Sequence, residues 1–446
     1  MVGTARFART LAFSLVLSIV ALALVAAATP AGAAPRTYRP TRFGDPNPGP
    51  CKPKDCSLRE AVLAANANPG RDTIILRRGT YKLTRDGIDD DAMAGDLDVR
   101  DHILIRGTGG RAKIRQTVSD RVFDLDPTNI AMGLRMTFRN VAIRGGRVTG
   151  ALDDGGGILA SNDERVTLRN VVVAGNRVEG NGGEGGGIYA YQARLTIVRS
   201  VVRGNFAGDT GGGVDAEGTT TIRKSTIAGN IADSSSGGVE NLGTMRIESS
   251  TISGNRAIVN YGGGIWNQSE LTVRNSTISG NRAGQHGGGV AGQTDGPGEF
   301  TSLINSTVAR NRADPGHVNL GDGGGVFSFA GVVRLTNTIV GDNVDGSPAA
   351  GINHDDCSTQ GDAITLKGRN LIEKVAGCAR TGAVGKLIKR DPKLKALRSN
   401  GGPTRTHALK PGSRAIGRAT KKLAPKRDQR GVLRDGKPDL GAYERT

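Results

Sequence analysis

The chain has 446 residues with 68 glycines, an apolar fraction of 37% and a formal net charge of +18. Glycine is too abundant for an ordinary domain yet lacks a three-residue period, which excludes collagen, and the apolar content is too regular for a disordered chain. Residues 1–34 read as a secretory signal peptide: Arg6 and Arg9 give a positive start, Leu11 to Ala28 is an apolar run, and Ala31-Gly32-Ala33 offers a small-residue cleavage site. The mature chain is then secreted or held at the cell envelope, with no transmembrane segment of its own.

Residues 35–71 form an N-terminal cap. Cys51 and Cys56 lie close together, as Cys357 and Cys378 do near the other end. Each near pair closes a short loop, so two local disulfides are expected in an exported chain. Ser57 to Asn66 has helical character, with Ser57 as N-cap and Glu60 completing a capping box. This helix is placed to plug the open end of the repeats that begin at residue 72.

Residues 72–345 carry a repeat. Early units are irregular, at Thr73-Ile74-Ile75-Leu76, His102 to Gly107 and Met136 to Ile143. Gly-Asn pairs then recur at Asn176, Asn205, Asn230, Asn255 and Asn281, spaced 29, 25, 25 and 26 residues apart, with looser copies at Asn311 and Asn343. Glycine triplets opening at Gly155, Gly185, Gly211, Gly262, Gly287 and Gly323 keep the same beat, and Gly237-Gly238 fills the gap. Apolar and polar residues alternate over short stretches between turn residues, the mark of short strands. Three apolar columns align, led by Ile188, Val214, Val239 and Ile265, by Ile197, Ile222, Ile247 and Val273, and by Val202, Ile227, Ile252 and Ile278.

A coil of about 25 residues with three strands cannot bury these columns alone, so coils must stack with parallel strands ~4.8 Å apart. The fold class is all-β: a right-handed single-stranded parallel β-helix, or solenoid, with a short N-terminal capping helix and a small C-terminal domain. Stacking puts like residues above one another, so the asparagines are expected to form an internal ladder with a structural role.

Residues 346–446 read as a C-terminal cap and a basic domain. From Arg380 onward there are 19 Lys/Arg against 5 Asp/Glu, whereas the repeat body is nearly neutral. Such a surface suits an anionic partner outside the cell, either an acidic polysaccharide or another anionic envelope polymer. No nucleic acid is expected, because few aromatics accompany the charge. A plainly solvated basic surface is the competing account.

Cys56-Ser57-Leu58-Arg59-Glu60-Ala61, with Asn66-Ala67-Asn68-Pro69-Gly70 and Gly95-Asp96-Leu97-Asp98-Val99, resembles the N-terminal motif of exported bacterial proteins named for the CSLREA hexapeptide. Gly401-Gly402-Pro403-Thr404, His407-Ala408-Leu409, Asp428-Gln429-Arg430-Gly431 and Asp439 to Glu444 resemble the choice-of-anchor C-terminal domain of exported β-helix proteins. One departure stands in the second resemblance, where Gly417 follows Ala415-Ile416 in place of an acidic residue. The resemblance implies a secreted or envelope-associated β-helix and supplies no catalytic residues.

One column past each glycine-linked strand start should point outward: Leu159, Tyr189, Asp215, Glu240, Trp266, Ala291 and Phe327. Asp215 and Glu240 on neighbouring coils offer the acid and base of a glycoside hydrolase or polysaccharide lyase, or metal ligands beside an arginine base such as Arg223, while Tyr189, Trp266 and Phe327 offer platforms for sugar rings. A solvated strand face is the plainer reading of the same column. A second column, Asp154, Glu184, Tyr261, His286 and Asp322, precedes the glycines, and Asp86, Asp89, Asp90, Asp91, Asp96 and Asp98 cluster upstream. The acidic residues of that column and the oxygen-only chemistry of the aspartate cluster suit Ca2+, although solubilised turns and a charged loop explain them as well. No other metal or cofactor is expected. The functional expectation is a monomeric, non-catalytic polysaccharide binder, with the carbohydrate-active enzyme as its alternative.

Overall fold

The computed structural model describes residues 34–125, 127–128, 133–151, 153–294, 296–314, 321–347 and 355–446. The segment 1–34 read as a signal peptide, apart from Ala34, lies outside them. Among the described residues, no helix is long and apolar enough to cross a membrane.

Every strand pairing between named strands is parallel, in sheets of 13, 11, 10 and 8 strands, and each sheet takes one strand from each successive coil. This is the expected right-handed parallel β-helix. One regular coil runs through Val214–Ala216, Thr219–Arg223, Thr226–Ala228 and Ile231–Ala232. Four strands per coil replace the expected three. The fourth carries a single inward residue, an alanine at Ala207, Ala232, Ala257, Ala283 and Ala313, all buried. Its small size and a larger outward neighbour hid it from a search for aliphatic columns.

The three expected columns do form the core, which is continuous from Cys56 to Cys378. Beside it runs the asparagine ladder. Asn176, Asn205, Asn230, Asn255, Asn281, Asn311 and Asn343 are buried, and each Nδ2 donates to the next Oδ1 at 2.9–3.1 Å. The same Oδ1 accepts the preceding asparagine's backbone N–H, and Nδ2 also reaches a carbonyl one coil back, as Asn230 does to Val202 at 3.2 Å. The ladder ends when Asn343 donates to Asp356 Oδ1 at 2.9 Å. Its amides are thereby satisfied in a dry interior, where an unmade bond is costly. A parallel ladder of Ser200, Ser225, Ser250 and Ser276 accepts backbone N–H groups at another corner.

Glycine precedes most ladder asparagines because that corner needs a positive φ, +62° at Gly229 and +65° at Gly254. Arg310 and Asp342 adopt the same conformation where the repeat loosens.

Helix α1 spans Leu58–Asn66 and has the expected capping box: Ser57 Oγ accepts from Glu60 N, and Glu60 Oε2 accepts from Ser57 N at 2.6 Å. Leu58, Ala61, Val62 and Ala65 close the N-terminal end of the core. Arg59, fully buried, pairs with Asp45 and donates to the carbonyls of Ala92, Ala94, Gly95 and Asp96. Arg59 of α1 therefore fixes the loop that delivers Asp96 and Asp98. Cys51–Cys56 and Cys357–Cys378 are both disulfides, as the spacing implied.

Strands continue to Leu371–Ile372 and Arg380–Gly382. The C-terminal domain then folds back along the flank of the eleven-stranded sheet. Leu394, Leu409, Ala415 and Leu440 pack on Ala309, Ile339 and Leu371. Gln429 ties the two together, accepting from Thr277 Oγ1 and donating to Ser250 O and Thr251 Oγ1. Asp428, Asp439 and Glu444 are buried, whereas the exposed acids of this segment are Asp391 and Asp435. Its outer surface is left strongly basic.

Candidate functional site

The ten-stranded sheet follows the glycine triplets. Its register places Tyr189, Asp215, Glu240, Trp266, Ala291 and Phe327 directly above one another and extends the column upstream to Asp98 and Asp124. These side chains leave the barrel core, but most of them do not reach solvent. Asp215 is 0% exposed, Glu240 3%, Trp266 5% and Phe327 0%, while Tyr189 is half-buried.

The glycines are the reason. Gly211 and Gly262, at φ +62° and +64°, fold the preceding turn over the outward residue four places on. A Cβ on Gly211 would stand 2.5 Å from Asp215 Cβ, and one on Gly262 2.7 Å from Trp266 Cβ. Only glycine permits that approach. The turn also delivers the residue before the glycine beside the column: Thr210 Oγ1 donates to Asp215 Oδ2 at 2.9 Å, Tyr261 lies 5.3 Å from Trp266, and His286 stacks on Phe327 at 4.3 Å. Two columns that read as separate in sequence converge in one covered groove.

One half of the groove is aromatic. Trp266, Phe327, Tyr261, His286 and Phe329 pack against each other, so these rings are not open platforms. Burial lowers the His286 pKa.

The other half is acidic. Glu184, Asp215 and Glu217 bring carboxylate oxygens within 4.8 Å of one another. Tyr189 donates to Glu217 Oε1 at 2.8 Å and Gln268 Nε2 to Glu240 Oε1 at 3.0 Å. Asp215 Oδ1 and Glu240 Oε2 are buried without a hydrogen-bond partner. Burial first, and neighbouring carboxylates second, push Glu184 up to about 7 and raise Asp215 well above the carboxylate range. Burial likewise pushes Glu240 up to about 8. A second group, Asp96, Asp98 and Asp124, is equally close-set, but Arg121 sits 2.8 Å from Asp124 and offsets its charge. In sequence Asp96 and Asp98 belonged to a loop cluster that did not include Asp124, and only the register of Leu97–Val99 with Phe123–Leu125 brings the three together.

A different face escaped the sequence reading. Outward positions of the thirteen-stranded sheet align Arg135, Arg165 and Arg194 in one row and Arg106, Arg139 and Arg169 in another, with Thr137, Thr167, Thr196 and Thr221 between them. Coil stacking sets like residues ~4.8 Å apart. Ion pairs on this face begin only at Arg223 and Arg246, both with Glu248; among the described residues, none of the six row arginines has a carboxylate partner. A groove of about 640 Å³ beside the second row is lined by Arg139, Arg169, Arg199, Arg223 and Lys224. The signal was an arginine opening and closing the strands Arg135–Arg139 and Arg165–Arg169. No protein-family model and no curated protein matches the chain.

Proposed function

We propose that the protein is an exported β-helix that binds an acidic polysaccharide or a similar anionic envelope polymer without cleaving it. The observation that carries this reading is the pair of unpaired arginine rows flanking a threonine row. Like charges at strand spacing repel one another, and a polymer with regularly spaced anions offsets that repulsion along its length. Threonine hydroxyls add neutral hydrogen-bonding groups between the rows. The basic outer surface of the C-terminal domain supports retention at the same anionic envelope. The apolar leader, the disulfides and the resemblance to CSLREA and choice-of-anchor proteins support export.

The catalytic alternative has less support. A glycosidic bond must reach both carboxyl groups, and Asp215 and Glu240 lie beneath the glycine turns. Incubation with acidic and neutral polysaccharides, scored for bound polymer, new reducing ends and unsaturated uronate, tests both readings. Retention of acidic polymers without product is expected. Product release, or equal retention of a neutral polymer, overturns the proposal.

A further inference from the structure

We propose that Glu184, Asp215 and Glu217 form a binding site for a hard divalent cation of the calcium type, set in the covered groove of the ten-stranded sheet. This inference does not depend on the polysaccharide reading. The three residues come from two adjacent coils: Glu184 from the turn before Gly185, Asp215 from the middle of Val214–Ala216, and Glu217 just beyond that strand. Their oxygens lie within 4.8 Å of one another. Calcium takes oxygen ligands at ~2.3–2.6 Å, so ligands of one ion stand no more than about 5 Å apart. All three donors are carboxylates, a set that favours calcium or magnesium over softer metals.

A separate observation points to a ligand. The Asp215 side chain is fully buried, yet only Oδ2 is held, by Thr210, and Oδ1 has no partner. Glu240, on the next coil, repeats the pattern with Oε2 unpartnered. Buried carboxylate oxygens without a donor are costly. Among the described residues, no lysine or arginine forms an ion pair with any of the four. The Asp96–Asp98–Asp124 group has Arg121 for that purpose; this one has only the neutral donors of Tyr189, Thr210 and Gln268. A bound cation would supply the missing charge and fill the open coordination of Asp215.

The test uses the purified protein after treatment with EDTA. Ca2+ in excess is expected to raise Tm, and Tb3+ to show tyrosine-sensitised emission that Ca2+ displaces, with Tyr189 adjacent to the site as the sensitiser. Asp215→Asn should abolish both responses, because it removes the central carboxylate ligand while keeping the side chain's size. Glu217 is less buried, so Glu217→Gln should fold readily and weaken Ca2+ binding at least ~10-fold. Asp98→Asn should leave both responses intact. Absence of any Tm shift at millimolar Ca2+, a response that survives both Asp215→Asn and Glu217→Gln, or its loss in Asp98→Asn would each overturn the proposal.

Discussion

Asp215 and Glu240 are direct cross-strand neighbours on adjacent coils, and neither carboxyl group reaches solvent. Two acids so placed cannot both ionise without cost, and burial pushes Glu240 up to about 8. The groove therefore holds protons near neutral pH that the unfolded chain would release.

The first prediction rests on that linkage. A carboxyl whose folded pKa lies above its unfolded value favours folding most at low pH, and the benefit is lost as pH rises through the folded pKa. For Glu240 and Glu184 the window runs from about 4.5 up to about 8 and about 7 respectively. In EDTA, Glu240→Gln should flatten the fall in Tm between pH 5 and pH 8.5 relative to the parent. An unchanged slope contradicts the assignment.

The asparagine ladder gives a second. Asn230→Leu removes a group that donates to Asn255 Oδ1 and Val202 O and accepts from Asn205, stranding buried partners on both neighbouring coils. A loss of about 3 kcal/mol is expected in urea unfolding. Ser225→Ala, which strands fewer groups, should cost less.

Glycines at two corners should respond differently. Gly262→Ala places a Cβ against Trp266 in a left-handed conformation and should cost about 2 kcal/mol or more, with altered tryptophan fluorescence. Gly254→Asn, where nothing lies within 4 Å, should cost about 1 kcal/mol or less. Arg310 and Asp342 already occupy equivalent corners.

The flank contact gives a fourth. Gln429→Ala removes the bonds to Ser250, Thr251 and Thr277, and limited proteolysis should then cut more readily between residues 383 and 446 while the stack stays protected. Equal protection of both parts would show that the apolar contacts of Leu394, Leu409 and Leu440 suffice.

What the sequence revealed depended on repetition. Stacking makes the core columns and the asparagine ladder periodic, so Ile222, Ile247 and Asn230 announced their roles. The capping box at Ser57 and Glu60 is local and equally legible. The groove was half legible: the outward column was found, but its burial was not, since the fold of the Gly211 and Gly262 turns over Asp215 and Trp266 depends on φ and close approach. Asp98 and Asp124 fell outside the regular spacing, and only strand register joins them. The docking of Gln429 against Thr277 spans 152 residues and leaves no local pattern.

Anion recognition by the arginine rows is tested by the affinity for an acidic polysaccharide across a salt series. Three forms are compared: the parent chain, Arg165→Ala with Arg194→Ala, and Lys421→Ala with Lys422→Ala on the C-terminal domain. Binding should weaken with salt and drop at least ~10-fold in the first double variant, with a smaller change in the second. Affinity unchanged by loss of Arg165 and Arg194 would refute recognition by these rows.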